Sequence, residues 1–291
     1  MNSAQKATIL YFDQFQYPLT KTELDTWQLS PDIEVDAENI HVESDQGFYF
    51  LSGRKEIVET RKQRYLIAEK KYLRALKYAK LFRLFPSVRM VAICNSLAFS
   101  NARDESDIDF FIVTRPGSIW LTRFWLQSFL RLFRLRPHDH GVSIQDALCL
   151  SFFSDTETLD FTSLQATKPD VYLAYWLAHL VVLYDPDNTY EKIWEQNKWV
   201  RSVLPHSSPY VVTPQRRISS SMWQVLFRPL VLSIWERPLR SIQEHLLSDT
   251  IKETASSRDT RVVLDGHMLK FHTNDRRIQF NKCLVKSYNQ K

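Results

Sequence analysis

Ser106-Asp107-Ile108-Asp109 runs straight into Phe110-Phe111-Ile112-Val113-Thr114, so two carboxylates open an apolar segment of strand character. Side chains of an extended segment alternate, which puts Asp107 and Asp109 on one face and Ile108 and Phe110 on the other. The strand rise sets the two acids about 6.6 Å apart along the backbone. In a partly dry setting such a pair repels, and a divalent cation removes that cost. Magnesium takes oxygen ligands and is commonly held by one or two carboxylates together with substrate phosphates. Two such ions about 3.5–4 Å apart can activate an attacking hydroxyl and stabilise a leaving pyrophosphate. A bare Asp-X-Asp tripeptide is most often a solvated turn. The apolar run that follows Asp109 places this one on a buried element instead. Asp107 and Asp109 are therefore expected to hold Mg2+ or Mn2+.

A short way upstream, Ile93-Cys94-Asn95-Ser96-Leu97-Ala98 closes another apolar run and starts a helix. Ser96 and the backbone N–H groups of such a start could hold phosphate, helped by the local positive potential. An ordinary helix cap reads the same way. Other polar clusters are Arg136, His138 and His140 in one loop, read either as solvated or as phosphate or metal contacts. The Lys270-Phe271-His272 stretch up to Arg277 follows a strand and could fold back onto the cleft.

These residues need elements to position them. Residues 88–94, 106–114 and 147–153 read as three buried strands. Residues 119–135 between them read as a helix, apolar nearly all round. Ahead of them, residues 4–15 have helical spacing, and Thr20 with Glu23 forms a capping box for a second helix that turns Leu24 and Trp27 inward. Residues 40–42 and 47–51 then read as a hairpin. Two small helices and a hairpin outline a winged helix, although Glu43 and Asp45 at its tip would repel a phosphate backbone. Residues 54–85 form a long basic helix whose Leu66, Ala68, Leu73, Leu76 and Ala79 mark the buried face. Its basic set is read as a solvated face or as a track for a phosphate chain. Helices are expected at 170–184, 190–203 and 219–252, and a terminal strand pair at 261–264 and 268–271 around Asp265-Gly266. The organisation expected is a winged-helix-like unit (1–53), a connecting helix (54–86), an α/β (α+β) core with a small mixed sheet (87–162) and a helical region (163–291).

The composition is that of a folded chain: 291 residues, 44% hydrophobic and 24% charged. Only 5 glycines argue against a glycine-rich dinucleotide fold, and 18 Phe, 12 Tyr and 8 Trp point to bulky cores and an aromatic-lined groove. The net charge of +5 suits a partner bearing phosphate. Cys94, Cys149 and Cys283 are far apart and show no metal spacing, so neither disulfides nor a structural zinc is expected, in keeping with a cytoplasmic setting. No signal peptide opens the chain, and the apolar stretches at 119–133 and 223–235 are interrupted too often for a membrane span. No nucleophile elbow, phosphate-binding glycine loop or zinc-protease motif supports a hydrolase or ATPase.

The segment from Val91 to Thr114 resembles the DNA polymerase β-like nucleotidyltransferase superfamily, in particular its small minimal members. Ser96-Leu97-Ala98 and Ala102-Arg103-Asp104-Glu105-Ser106-Asp107-Ile108-Asp109 carry the likeness. It implies a mixed sheet with helices on one side and metal-dependent transfer of a nucleoside monophosphate from a triphosphate to a hydroxyl or phosphate acceptor. Asp107 and Asp109 would be catalytic metal ligands, and Asn95, Ser96 and Ser106 would bind the nucleotide. RNA, DNA or a protein could be the acceptor. Tyr11-Phe12-Asp13 and Tyr17-Pro18-Leu19-Thr20, followed by this core and a helical tail, are similar to a bacterial group that brings no known substrate. Two departures stand out. Asn95 replaces the usual glycine, where Asn is the next-best residue for a left-handed conformation. The strand that should bring a third carboxylate has Cys149 and Ser151, leaving Asp146 and Asp155 as flanking candidates. Both departures favour an alternative: a catalytically inactive protein that binds a nucleotide or nucleic acid in the same cleft.

Overall fold

The computed structural model describes every residue except 34, 36–38, 137–142, 228, 230–231, 258–259, 273–274, 283 and 285–291. The expectations for His138, His140 and Cys283 lie outside the described residues.

The N-terminal unit begins with α1 (Ser3–Asp13), capped by reciprocal bonds between Asn2 and Gln5. β1 (Leu19–Thr20) leads into α2 (Lys21–Thr26), which uses the Thr20–Glu23 capping box read from the sequence. The hairpin of β2 (Val42–Asp45) and β3 (Phe48–Leu51) completes a three-stranded antiparallel sheet of order β1-β3-β2. α3 (Glu56–Phe82) then spans 27 residues. It buries Ala68, Lys71, Tyr72, Ala75, Tyr78, Ala79 and Phe82, while Leu66 and Leu73, expected inward, are 64% and 71% exposed. The true stripe is shifted round the helix and is filled largely by alanines and rings, which let α3 sit close to the sheet.

The main sheet has six strands in the order β7-β4-β5-β6-β9-β8. β4 (Val88–Ile93), the one-turn α4 (Asn95–Ala98), β5 (Ile108–Thr114), α5 (Ile119–Leu132) and β6 (Leu148–Asp155) follow the expected order. The β5–β6 pair is parallel and the remaining pairs are antiparallel, so the sheet is mixed. Past β6 the sequence expectation fails in an instructive way. The helix expected over 170–184 is α6 (Val171–Ala178), followed by an edge strand, β7 (Val181–Tyr184), paired with β4. A continuous apolar run lacks the period that would separate buried helix from buried strand. The helix expected over 190–203 divides into α7 (Thr189–Gln196) and α8 (Trp199–Val203) at Asn197, whose amide bonds Leu159 O at 2.6 Å and accepts from Phe161 N at 2.8 Å. That over 219–252 breaks into α9 (Gln224–Phe227), α10 (Glu236–Leu246) and α11 (Asp249–Ser256). β8 (Val262–Leu264) and β9 (Met268–Phe271) form the expected hairpin, β9 lies against β6, and α12 (Arg277–Lys282) follows. Residues 163–291 therefore contribute three strands to the main sheet and are not a separate helical region.

Alternation along β5 sorts the core. Ile108, Phe110 and Ile112 pack with α3 and α5, whereas Phe111 and Val113 pack with α1, α6, α7 and α8. Helices thus cover both faces of the sheet, not the one face that the resemblance implied. No helix among the described residues is long and apolar enough to cross a membrane.

Candidate metal centre and adjoining cavity

Asp107 immediately precedes β5, and Asp109 is its second residue. Both are half-buried and face the same side, as the alternation requires. In the parallel register Asp109 stands opposite Cys149 of β6. One ligand atom from each of Asp107, Asp109 and Cys149 lies within 4.8 Å of the other two. Two hard oxygens and one softer sulfur are a donor set that could hold a divalent ion, the sulfur being a poor ligand for Mg2+. Burial first, and then the Asp107 carboxylate, pushes Asp109 well above the usual carboxylate range, with bonds from Asn95 and Cys149 opposing. The Cys149 thiol is likewise pushed up by burial and by both carboxylates. A bound cation would oppose these effects and favour the charged forms.

The turn that carries Asp107 is clamped from α3. Lys71, read from sequence as part of a basic face, is buried, and its ammonium donates to Asp104 O at 2.9 Å, Ser106 O at 2.8 Å and Asp146 Oδ1 at 2.6 Å. Arg74 adds a bond to Asp146 O at 2.8 Å. The Ser106 hydroxyl donates to Arg103 O at 2.8 Å, closing the same turn. Arg61 and Arg64 are also occupied within the chain: Arg61 grips Glu23 at 2.6 Å and Arg64 bonds Phe15 O at 3.0 Å. These four members of the basic set do not form a free track for phosphate.

Neither candidate third acid joins the pair. Asp146 sits at the right end of β6, but its carboxylate is held by Lys71. Asp155 lies at the far end, opposite Thr114 in the register. There it accepts from the N–H groups of Glu157 and Thr158 at 3.0 and 3.1 Å and meets His267 Nδ1 at 2.7 Å. The third potential donor beside the pair is Cys149, on the strand where the resemblance implied an acid.

Asn95 adopts φ +58°, the left-handed conformation for which glycine is the usual choice. Its side chain links two parts of the site. Its Oδ1 accepts from Trp176 Nε1 at 3.0 Å, and its amide bonds Asp109. Ser96 beside it is exposed. Both line a cavity of about 390 Å3 between the N-terminal unit, α6 and the C-terminal segment. Rings of Phe12, Phe15, Phe152, Tyr172, Tyr175 and Trp176 supply most of its wall. Tyr172 lies near enough to the acid pair that, after burial, the Asp109 charge raises its pKa. The Lys270 to Arg277 stretch does fold back here: Lys270, His272, Asp275 and Arg277 line one end, and His272 Nε2 is 3.4 Å from Ser151 Oγ. The aromatic count in the sequence signalled such a groove without saying which rings would build it.

Compared with protein families, with curated proteins and with solved structures, the chain finds no match.

Proposed function

We propose that the chain is a metal-dependent nucleotidyltransferase, moving a nucleoside monophosphate from a nucleoside triphosphate to a hydroxyl or phosphate acceptor. The observation that supports this most is the convergence of Asp107, Asp109 and Cys149 beside a left-handed Asn95 and the exposed Ser96. Strands β4 to β6 and α4 then serve as the polymerase β-like core, and the N-terminal unit as a winged-helix-like subdomain packed on it. Asp107 and Asp109 offer the oxygens that Mg2+ or Mn2+ takes, and Cys149 adds a softer sulfur that suits Mg2+ poorly. Bound there, such an ion would offset the charge of the triphosphate and of the departing pyrophosphate. Asn95 fixes the Asp109 carboxylate, Lys71 fixes the turn before Asp107, and Ser96 offers a hydroxyl to a phosphate oxygen.

Release of pyrophosphate from the four ribonucleoside triphosphates with Mg2+ or Mn2+, over a panel of RNA, protein and small-molecule acceptors, tests the reading. Transfer should fall by at least about a thousandfold in Asp107→Asn and in Asp109→Asn, because each removes charge needed to hold the ion in the transition state. Full activity in either variant would sink the proposal. The missing third carboxylate favours a second reading, a binding protein with the same cleft. That reading expects triphosphate binding, weakened by salt, with no pyrophosphate released under either metal.

A further inference from the structure

We infer that the aromatic cavity is a nucleoside pocket, taking a planar heterocyclic base together with its sugar. Its placement at the reacting end of the molecule rests on the proposed transferase chemistry, but the pocket itself does not. At about 390 Å3 it falls in the size range of small-molecule sites. Among its rings Tyr172 and Phe280 lie 5.7 Å apart at 13° and Phe15 stands 4.8 Å from Phe280, an aromatic group whose cavity-facing surface a flat base could cover. Flat bases stack on such rings whatever their sequence identity.

The polar end of the cavity is built largely from paired charges. Lys270 and Arg277 both bind Asp275, at 3.2 and 2.7 Å, and Arg277 also binds buried Asp170 at 3.2 Å. Lys270 and Arg277 are thus held by carboxylates, while Arg276, which also lines the cavity, bonds the neutral Gln279 at 3.3 Å. A ring with donor and acceptor edges suits such a mixture of fixed donors and acceptors. His272 strengthens the assignment: its Nδ1 is buried with no hydrogen-bond partner among the described residues, and its ring lines the cavity. A buried polar atom left unpaired is costly, and a base edge could satisfy it.

At its other end the cavity meets Asn95, which bonds both the Trp176 wall and Asp109. A nucleoside seated on the rings therefore directs its sugar toward the acid pair. Two molecules offer that chemistry: the nucleoside part of the triphosphate donor, or a nucleoside-bearing acceptor.

Isothermal titration of the full chain with adenosine, guanosine, cytidine and uridine, all without metal, tests the pocket apart from the transferase reading. At least one nucleoside should bind, and Phe280→Ala and Phe15→Ala should each weaken it about tenfold or more while the melting curve stays cooperative. Titration in the presence of Mn2+ and a non-hydrolysable triphosphate separates the sources. Competition identifies the donor's nucleoside, and simultaneous binding identifies an acceptor. Nucleoside binding without any transfer activity would uphold the pocket and remove the enzyme. No binding by any of the four, or binding indifferent to both substitutions, would overturn the pocket even if transfer were observed.

Discussion

Lys71→Met should loosen the metal site without touching a ligand. The Lys71 side chain is only 2% exposed, and its ammonium reaches two backbone carbonyls of the turn before Asp107, at 2.9 and 2.8 Å. Hydrogen bonds from a charged donor contribute about 1.5 kcal/mol each, so the two together contribute about 3 kcal/mol. The third bond, to Asp146, ends on a carboxylate that is 42% exposed; solvent screening limits it to under about 1 kcal/mol. Methionine fills a similar volume and returns part of the loss by removing a buried charge. The net expectation is a destabilisation of about 2–3 kcal/mol, or roughly 4–12 °C in melting temperature for a chain of this size. The turn should then release Asp107, and Mn2+ affinity, read by titration calorimetry, should fall along with stability. Asp146→Asn is the control, because it removes only the screened ion pair and should cost under about 1 kcal/mol. A Lys71→Met protein that melts within a degree of wild type, or an Asp146→Asn protein as unstable as Lys71→Met, would refute this account of how the turn is held.

Three further expectations concern the same region and its surroundings. Asn95→Ala should be about 1 kcal/mol less stable than Asn95→Gly by denaturant unfolding, because both lose the bonds to Trp176 and Asp109 but only alanine strains a φ of +58°; the reverse order would remove the left-handed requirement. Cys149→Asp should raise Mg2+ affinity on the order of tenfold and narrow the gap to Mn2+, since an oxygen donor replaces a softer sulfur. An unchanged metal preference would mean that Cys149 stays outside the coordination shell. His179, 4% exposed and stacked on Phe99 at 4.4 Å, is held down to about 4 by burial. The unfolded chain accepts the proton that the buried ring refuses, so stability is whole above about pH 6.5 and drops toward pH 4 at up to about 1.4 kcal/mol per unit. His272 is lowered in the same way, so His179→Leu should remove about half of the acid-side slope contributed by the two rings. A slope unaltered in His179→Leu, followed by circular dichroism, would exclude His179 as a source.

What the sequence disclosed followed the range over which its signals act. The Thr20–Glu23 cap, the 27-residue α3, the strands around Asp109 and the hairpin at Asp265 are set by neighbours within a few residues, and each lies close to where periodicity and turn chemistry put it. The Val181–Tyr184 strand was hidden because only the single polar residue His179 separates it from the apolar run of a buried helix, and pairing with β4 distinguishes it. Leu66 and Leu73 misled for a related reason. Leucines on a helix mark the core only when nothing smaller competes, and here alanines give the closer approach to the sheet.

The site divides along the same line. Two carboxylates two residues apart on a strand must share a face, so Asp107 and Asp109 were legible from spacing alone. Cys149 becomes their partner only through a parallel register between strands joined by a long crossover, and no local pattern encodes that register. Lys71 is a sharper case. A lysine among eight other basic positions between Arg61 and Arg83 reads as solvent-facing by every local rule, and it becomes a buried clamp only because the Asp104–Ser106 turn presents carbonyls to it. Burying that ammonium is tolerable only while the turn stays in place, and the turn keeps its shape largely because the ammonium is there. The same reciprocity joins Asn95, Trp176 and Asp109, so the acid pair and the cavity wall are fixed by shared bonds and should respond together when either is disturbed.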